Sequence, residues 1–156
     1  RVRLRTKPVK TSIIQVNSPK NDAESEVMLN KIFTMHFKLN YRRFQNRIWP
    51  SLWETNAKVE SNNRGYERVV DRYGCGIMNE NGEKFAEFCG NNNLVVGGIL
   101  FPHKDIHKLT WVSPGGRDEN QIDHIAINGK WKKSLQDVRA RQGADIRSDH
   151  HLVTAS

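Results

Sequence analysis

The chain has 156 residues, with 25 Lys or Arg against 17 Asp or Glu, a formal charge of +8. That length suits one domain with a single sizeable core, and 37% hydrophobic residues with no long apolar run exclude a bilayer-spanning helix. An isoelectric point near 9.7 points to an acidic partner, nucleic acid first and an anionic membrane surface second.

The opening Arg1-Val2-Arg3-Leu4-Arg5 lacks the apolar core of a signal peptide, and with no initiator Met the chain reads as a fragment. Lys10-Thr11-Ser12-Ile13-Ile14-Gln15-Val16 is β-branched and stops at Asn17-Ser18-Pro19, which predicts a buried strand. Asp22 can cap a helix in which Met28, Ile32, Met35 and Leu39 keep helical spacing. From Asn40 to Arg47 the pattern becomes basic with interleaved aromatics, a solvated face or a nucleic-acid contact. Ile48, Trp49, Leu52 and Trp53 suit a strand, but Pro50 argues against a central one.

Asn79-Glu80-Asn81-Gly82 leads into a short helix with Phe85, Phe88 and Cys89 facing inward and Gly90 ending it. Leu94-Val95-Val96 predicts a buried strand. Residues 109–113 and 121–127 predict a hairpin around Pro114-Gly115-Gly116. Gly129-Lys130-Trp131 is a turn, Val138 starts a last extended segment, and Leu152-Val153 is a final apolar pair. The reading is α+β. Cys75 and Cys89 carry no disulfide framework and read as reduced thiols of an intracellular protein, nuclear or cytoplasmic.

Three polar clusters fall beside predicted strand ends: Glu54-Thr55-Asn56-Ala57, Gln121-Ile122-Asp123-His124 and Ser148-Asp149-His150-His151. Carboxylates next to histidine suit a divalent cation and a general base acting on a phosphodiester. Mg²⁺ takes few carboxylates and keeps water, so a sparse oxygen site is enough. His103 and His107, four apart, have a metal-ligand spacing, but the loop around Pro102 favours a structural role. Lys130, Lys132 and Lys133 around Trp131 form a small basic-aromatic run, most simply a solvated turn.

Taken in order, Asn56-Ala57-Lys58-Val59, Asn79-Glu80-Asn81-Gly82-Glu83, residues 100–111, Asn120-Gln121-Ile122-Asp123-His124-Ile125, Gly143-Ala144-Asp145 and Ser148-Asp149-His150-His151 closely resemble the endonuclease/exonuclease/phosphatase superfamily. The branch they look like is that of non-LTR retrotransposon-derived endonucleases, including the craniofacial development protein 2-like group. The resemblance implies part of a four-layer, two-sheet β-sandwich flanked by helices (DNase I-like) that cleaves DNA with Mg²⁺ or Mn²⁺. The polar composition argues against a membrane, and no obligate protein partner is evident in the sequence. Carried over by motif, His150 acts as the base or phosphate-stabilising histidine, Asp123 orients it, Asp149 sits at the metal and Asn56 positions water or phosphate. Thr110 and Trp111 match the Thr-Trp strand, with Trp111 near the cleft floor and the substrate.

The departures from the family bear on activity. The chain is expected to lack the family's N-terminal strands, which bring an Asn and the main metal-binding Glu. Asn17 stands where the family has a Tyr, so a phosphate-directed hydroxyl is lost at this substrate-binding position. The family's Gly-Asp-Phe-Asn is here Trp53-Glu54-Thr55-Asn56, so Glu54 keeps the carboxylate displaced by a methylene and Trp53 replaces a tight-turn glycine. A family-like Ile-Val-Met-Gly-Asp-Phe coding run, read one nucleotide late, yields Ser51-Leu52-Trp53-Glu54-Thr55, after which Asn56 resumes the family frame. The expectation is that Glu54 arises from a local frameshift, either by mutation or through a gene model that skips bases. The expected function is therefore Mg²⁺-dependent phosphodiester hydrolysis in impaired form; the alternatives are a non-catalytic nucleic-acid-binding remnant or a small-molecule or lipid phosphoesterase. The charge bears on the first alternative. Residues 1–50 hold eleven basic and three acidic side chains, whereas 51–156, with nearly all the motifs, hold fourteen of each.

Overall fold

A computed structural model of the chain describes residues 2–5, 10–17, 51–54, 56–59, 65–143 and 148–156. The helix expected over 22–39, the basic stretch 40–47, Thr55 and Ala144-Asp145 lie outside the described residues. In chain order the strands are β1 (Val2–Arg5), β2 (Lys10–Asn17), β3 (Ser51–Glu54), β4 (Leu94–Val96), β5 (Trp111–Val112), β6 (Glu119–Asn120), β7 (Asp123–Asn128), β8 (Val138–Arg141) and β9 (Leu152–Ala155). Helix α1 spans Glu80–Asn91.

Five strands form one sheet in the order β1-β2-β3-β7-β4. β3 is central after all: it begins at Ser51, so the strand itself contains no proline. β2 runs parallel to β3 with Asn17 opposite Glu54, and β7 runs antiparallel to β3 with Glu54 opposite Asp123. Asn17, Glu54 and Asp123 therefore share one backbone row at one end of the sheet.

β7 is buried from His124 to Asn128, and its alternation divides two interiors. His124 stacks on Phe85 with ring centroids 5.3 Å apart, and Ala126 joins the cluster of Val59, Val70, Phe85, Cys89 and Val96 under α1. Phe85, Ala86 and Cys89 point that way because they recur on one face of the helix. Asp123, Ile125 and Ile127 then face the opposite side. There a Cβ on Gly97 would meet the side chains of Leu135 and Val138 and the Ile125 carbonyl, which places the start of β8 against this second face.

Two sequence expectations change. The hairpin pairs Trp111 with Asn120 and Val112 with Glu119, not 109–113 with 121–127. Ser113 closes the turn by accepting the Arg117 and Asp118 amides on its hydroxyl, and Gln121-Ile122 carry the chain across into the other sheet, where β7 begins. At the helix end Gly90 lies inside the last turn. Asn92 caps the carbonyl of Phe88 with both its amide and its side chain, and Asn93 takes the left-handed conformation (φ 51°).

Candidate active site

A single buried residue sets where β7 starts. Thr110, 2% exposed, accepts the amide protons of Ile122 and Asp123 on Oγ1, each at 3.0 Å. Its own carbonyl accepts the His151 amide at 2.7 Å, and two residues on the Val112 amide donates to the Asp149 carbonyl at 2.9 Å. These bonds, with the Trp111–His150 bridge, dock the segment leading into β9 along β5. Thr110 thus aligns the strand that carries Asp123 with the segment that carries His150.

The result is an Asp-His pair between residues 27 apart in sequence. His150 Nδ1 lies 2.9 Å from Asp123 Oδ2, with the Asp123 side chain 10% exposed and that of His150 29%. A carboxylate on Nδ1 holds the proton at that nitrogen, which assigns the tautomer and makes Nε2 the basic atom of the neutral ring. Beside it Trp111 Nε1 donates to Asp149 Oδ2 at 2.9 Å, so the exposed Asp149 carboxylate is held in one orientation.

Asn56 lies two residues beyond the end of β3 in the left-handed region, φ 50°, which Asn tolerates better than most residues. The structure therefore brings His150 to Asp123 and Trp111 to Asp149, and the backbone rows bring Asn17 and Glu54 to the same sheet end as Asp123. Of Asn17 and Glu54 the structure describes the backbone.

The other histidines have different duties. His103 Nε2 is 2.6 Å from Asp137 Oδ1, and Arg139 Nε donates to Asp137 Oδ2, which ties the 101–108 loop to β8. His103 and His107 meet edge-on at 6.3 Å. Lys130 lies 5.5 Å from the Trp131 ring in the 3₁₀ segment Gly129–Ser134, after the end of β7 remote from Asp123. His124 is fully buried; its Nε2 donates to the Ala57 carbonyl at 2.7 Å, and Nδ1 has no hydrogen-bond partner among the described residues. An imidazole amid the aliphatic run Ile122 to Ile127 was the available sequence signal for that role.

Burial pushes the His124 imidazole below its ordinary value near 6.5. A depressed histidine contributes stability that is complete above the unfolded-state value and is lost as pH falls through it toward the folded value. The melting midpoint of the wild type accordingly drops more between about pH 7.5 and about pH 5.5 than that of His124→Phe, which keeps the ring stack without the titrating nitrogen. Equal slopes in the two melting series would rule this out.

Compared with known proteins, the chain matches no family model. It is 34% identical over 160 aligned residues to craniofacial development protein 2 of Bos taurus and 32% identical to that of Tragulus javanicus. In each case the match covers 99% of this chain and 26% of the relative, so the chain spans about a quarter of the length of the curated relatives it matches. Among solved structures, a 3′-5′ exonuclease (NExo) from Neisseria meningitidis superposes with TM-score 0.64 and 19% identity, over 96% of this chain and 61% of that one. The NExo 3′ phosphatase from Neisseria bound to a product DNA hairpin gives 0.65 and 16%, over 99% and 63%. The endonuclease domain of TRAS1, a telomere-specific non-LTR retrotransposon, gives 0.59 and 14%, over 98% and 60%. At these identities the likeness is one of fold.

Proposed function

Because the chain is a homologue of part of craniofacial development protein 2 and carries the fold of the endonuclease/exonuclease/phosphatase proteins, we propose that it hydrolyses phosphodiester bonds in DNA with a divalent cation, Mg²⁺ or Mn²⁺. The observation that carries the reading is the His150–Asp123 pair at 2.9 Å. With Nδ1 engaged by the carboxylate, His150 Nε2 is the atom that takes a proton from water or meets a phosphate oxygen. Asp123 stabilises the imidazolium that results, and it is held for this by the Thr110 hydroxyl on its own amide. Asn56 orients the water or the phosphate, and Trp111 steers Asp149 through its Nε1 bond.

Among the described residues no group of three or more His, Cys, Asp or Glu side chains gathers to hold an ion, and the oxygen ligand this reading assigns is a single carboxylate. Asp149 offers an exposed carboxylate whose direction is set by Trp111, and Mg²⁺ needs one or two such oxygens with the rest of its shell in water. Asp149 is the residue that would hold it. When bound, the cation supplies positive charge to the phosphate oxygens. Both cysteines are free thiols, in keeping with DNA inside the cell as substrate.

Cleavage by this chain is slow in this reading, because Glu54 carries its carboxylate one methylene beyond the Asp of related sites, and small misplacements at a reacting centre cost rate steeply. Purified chain incubated with supercoiled plasmid and Mg²⁺ should give slow nicking that EDTA abolishes, and Glu54→Asp should nick faster. Salt-sensitive DNA binding without any nicking in either protein would instead make this a binding remnant.

A further inference from the structure

We infer that Asn79 and His124 are positioning residues for Asn56, gripping its carbonyl and the main chain that follows it so that its left-handed backbone is held without a β-ladder. The inference rests on the reading of Asn56 as the residue that orients water or phosphate. Residues 56–59 follow β3 but belong to no strand, so their backbone polar groups need other partners. Two side chains from different elements supply them. Asn79 Nδ2 donates to the Asn56 carbonyl at 2.9 Å, and Asn79 Oδ1 accepts the Lys58 amide at 2.9 Å. His124 Nε2 donates to the carbonyl of Ala57, the residue between them.

Asn79 is at the same time the N-cap of α1, its Oδ1 accepting the Gly82 amide at 2.8 Å. His124 stands next to Asp123 on β7, at the head of the strand that orients the catalytic histidine. The grip on Asn56 is therefore referenced to two rigid elements, one being the strand that holds Asp123. A capping role alone would need only the Asn79 oxygen. Its nitrogen, spent on the Asn56 carbonyl, is the atom that a helix cap leaves unexplained.

Asn79→Asp separates these roles, because aspartate caps a helix as well as asparagine but turns an oxygen toward the Asn56 carbonyl. In this variant of the chain the Asn56 backbone ¹³C resonances should leave their left-handed positions and those of Ala57 should shift with them, while those of Ile125 and Val96 stay. The cap being kept, the variant should still melt in a single cooperative transition. Nicking kcat should fall roughly ten- to hundredfold at unchanged KM. His124→Phe, which keeps the stack on Phe85, should move the same two resonances and serves should Asn79→Asp fail to fold. Unmoved Asn56 resonances in a folded variant overturn the inference, as does an unchanged kcat when those resonances have moved. If the parent chain does not nick, the phosphodiesterase reading has failed by itself, and the resonances alone decide the grip.

Discussion

Asp123→Asn should reduce plasmid nicking by about 10²- to 10⁴-fold while leaving the fold intact. The size follows from what the substitution changes. The carboxylate is 10% exposed and sits 2.9 Å from His150 Nδ1, so an amide there removes a full charge from a poorly hydrated contact. An Asn oxygen can still accept from Nδ1, but it does nothing to stabilise the ring once Nε2 has gained a proton. Where the amide nitrogen faces the ring instead, the tautomer reverses and Nε2 is no longer basic. The fold is spared because Asp123 is placed through its backbone, by the Thr110 hydroxyl and the pairing with Glu54, neither of which uses the side chain. Melting curves and initial nicking rates on the same preparations check both halves; a rate within tenfold of the parent would remove the pair from the chemistry.

Gly82→Ala is expected to destabilise the protein even though it replaces glycine within a helix. Propensity alone favours Ala by about 1 kcal/mol. Against that, a Cβ at Gly82 would collide with the Lys58 carbonyl oxygen, and the next nearest atom is the Lys58 carbonyl carbon. A main-chain carbonyl cannot swing aside as a side-chain end can, so either α1 withdraws or residues 56–59 shift. Overpacking of this kind costs about 1–3 kcal/mol, and at a backbone contact the upper part of that range applies, for a net loss of about 1–2 kcal/mol. Chemical denaturation reads it directly. Since the displaced segment begins at Asn56, nicking should fall alongside stability, unlike in Asp123→Asn.

What could be read from the sequence was what side-chain pattern dictates locally. The β-branched run before Asn17 became β2, Leu94-Val95-Val96 became β4, and the i, i+4 pair Phe85 and Cys89 turned inward on α1. The motifs around Asp123 and His150 pointed to a pair that the fold does bring together. Partners chosen by long-range hydrogen bonds were not legible. Nothing in residues 109–127 announces that the Thr110 hydroxyl takes two amides and sends Gln121-Ile122 across to a different sheet. Pro50 misled because its effect depends on a one-residue difference in where β3 begins. Asn79 stood in the run that leads into a helix and proves to be its cap, but its second hand reaches a residue 23 positions away. Such contacts leave a residue type in the sequence without an address.

The central place of β3 has a consequence for how the chain is made. Its two neighbours come from opposite directions in time: Glu54 pairs with Asn17, already synthesised, and with Asp123, about 70 residues still to come. At ribosomal speeds of about 5–20 residues per second, β3 waits roughly 3 to 14 s before β7 can close against it. Throughout that interval the middle of the finished sheet is an open edge, with unpaired amides and carbonyls able to template another chain. The strand that organises the site is thus also the one most in need of a chaperone's cover while the ribosome is still at work.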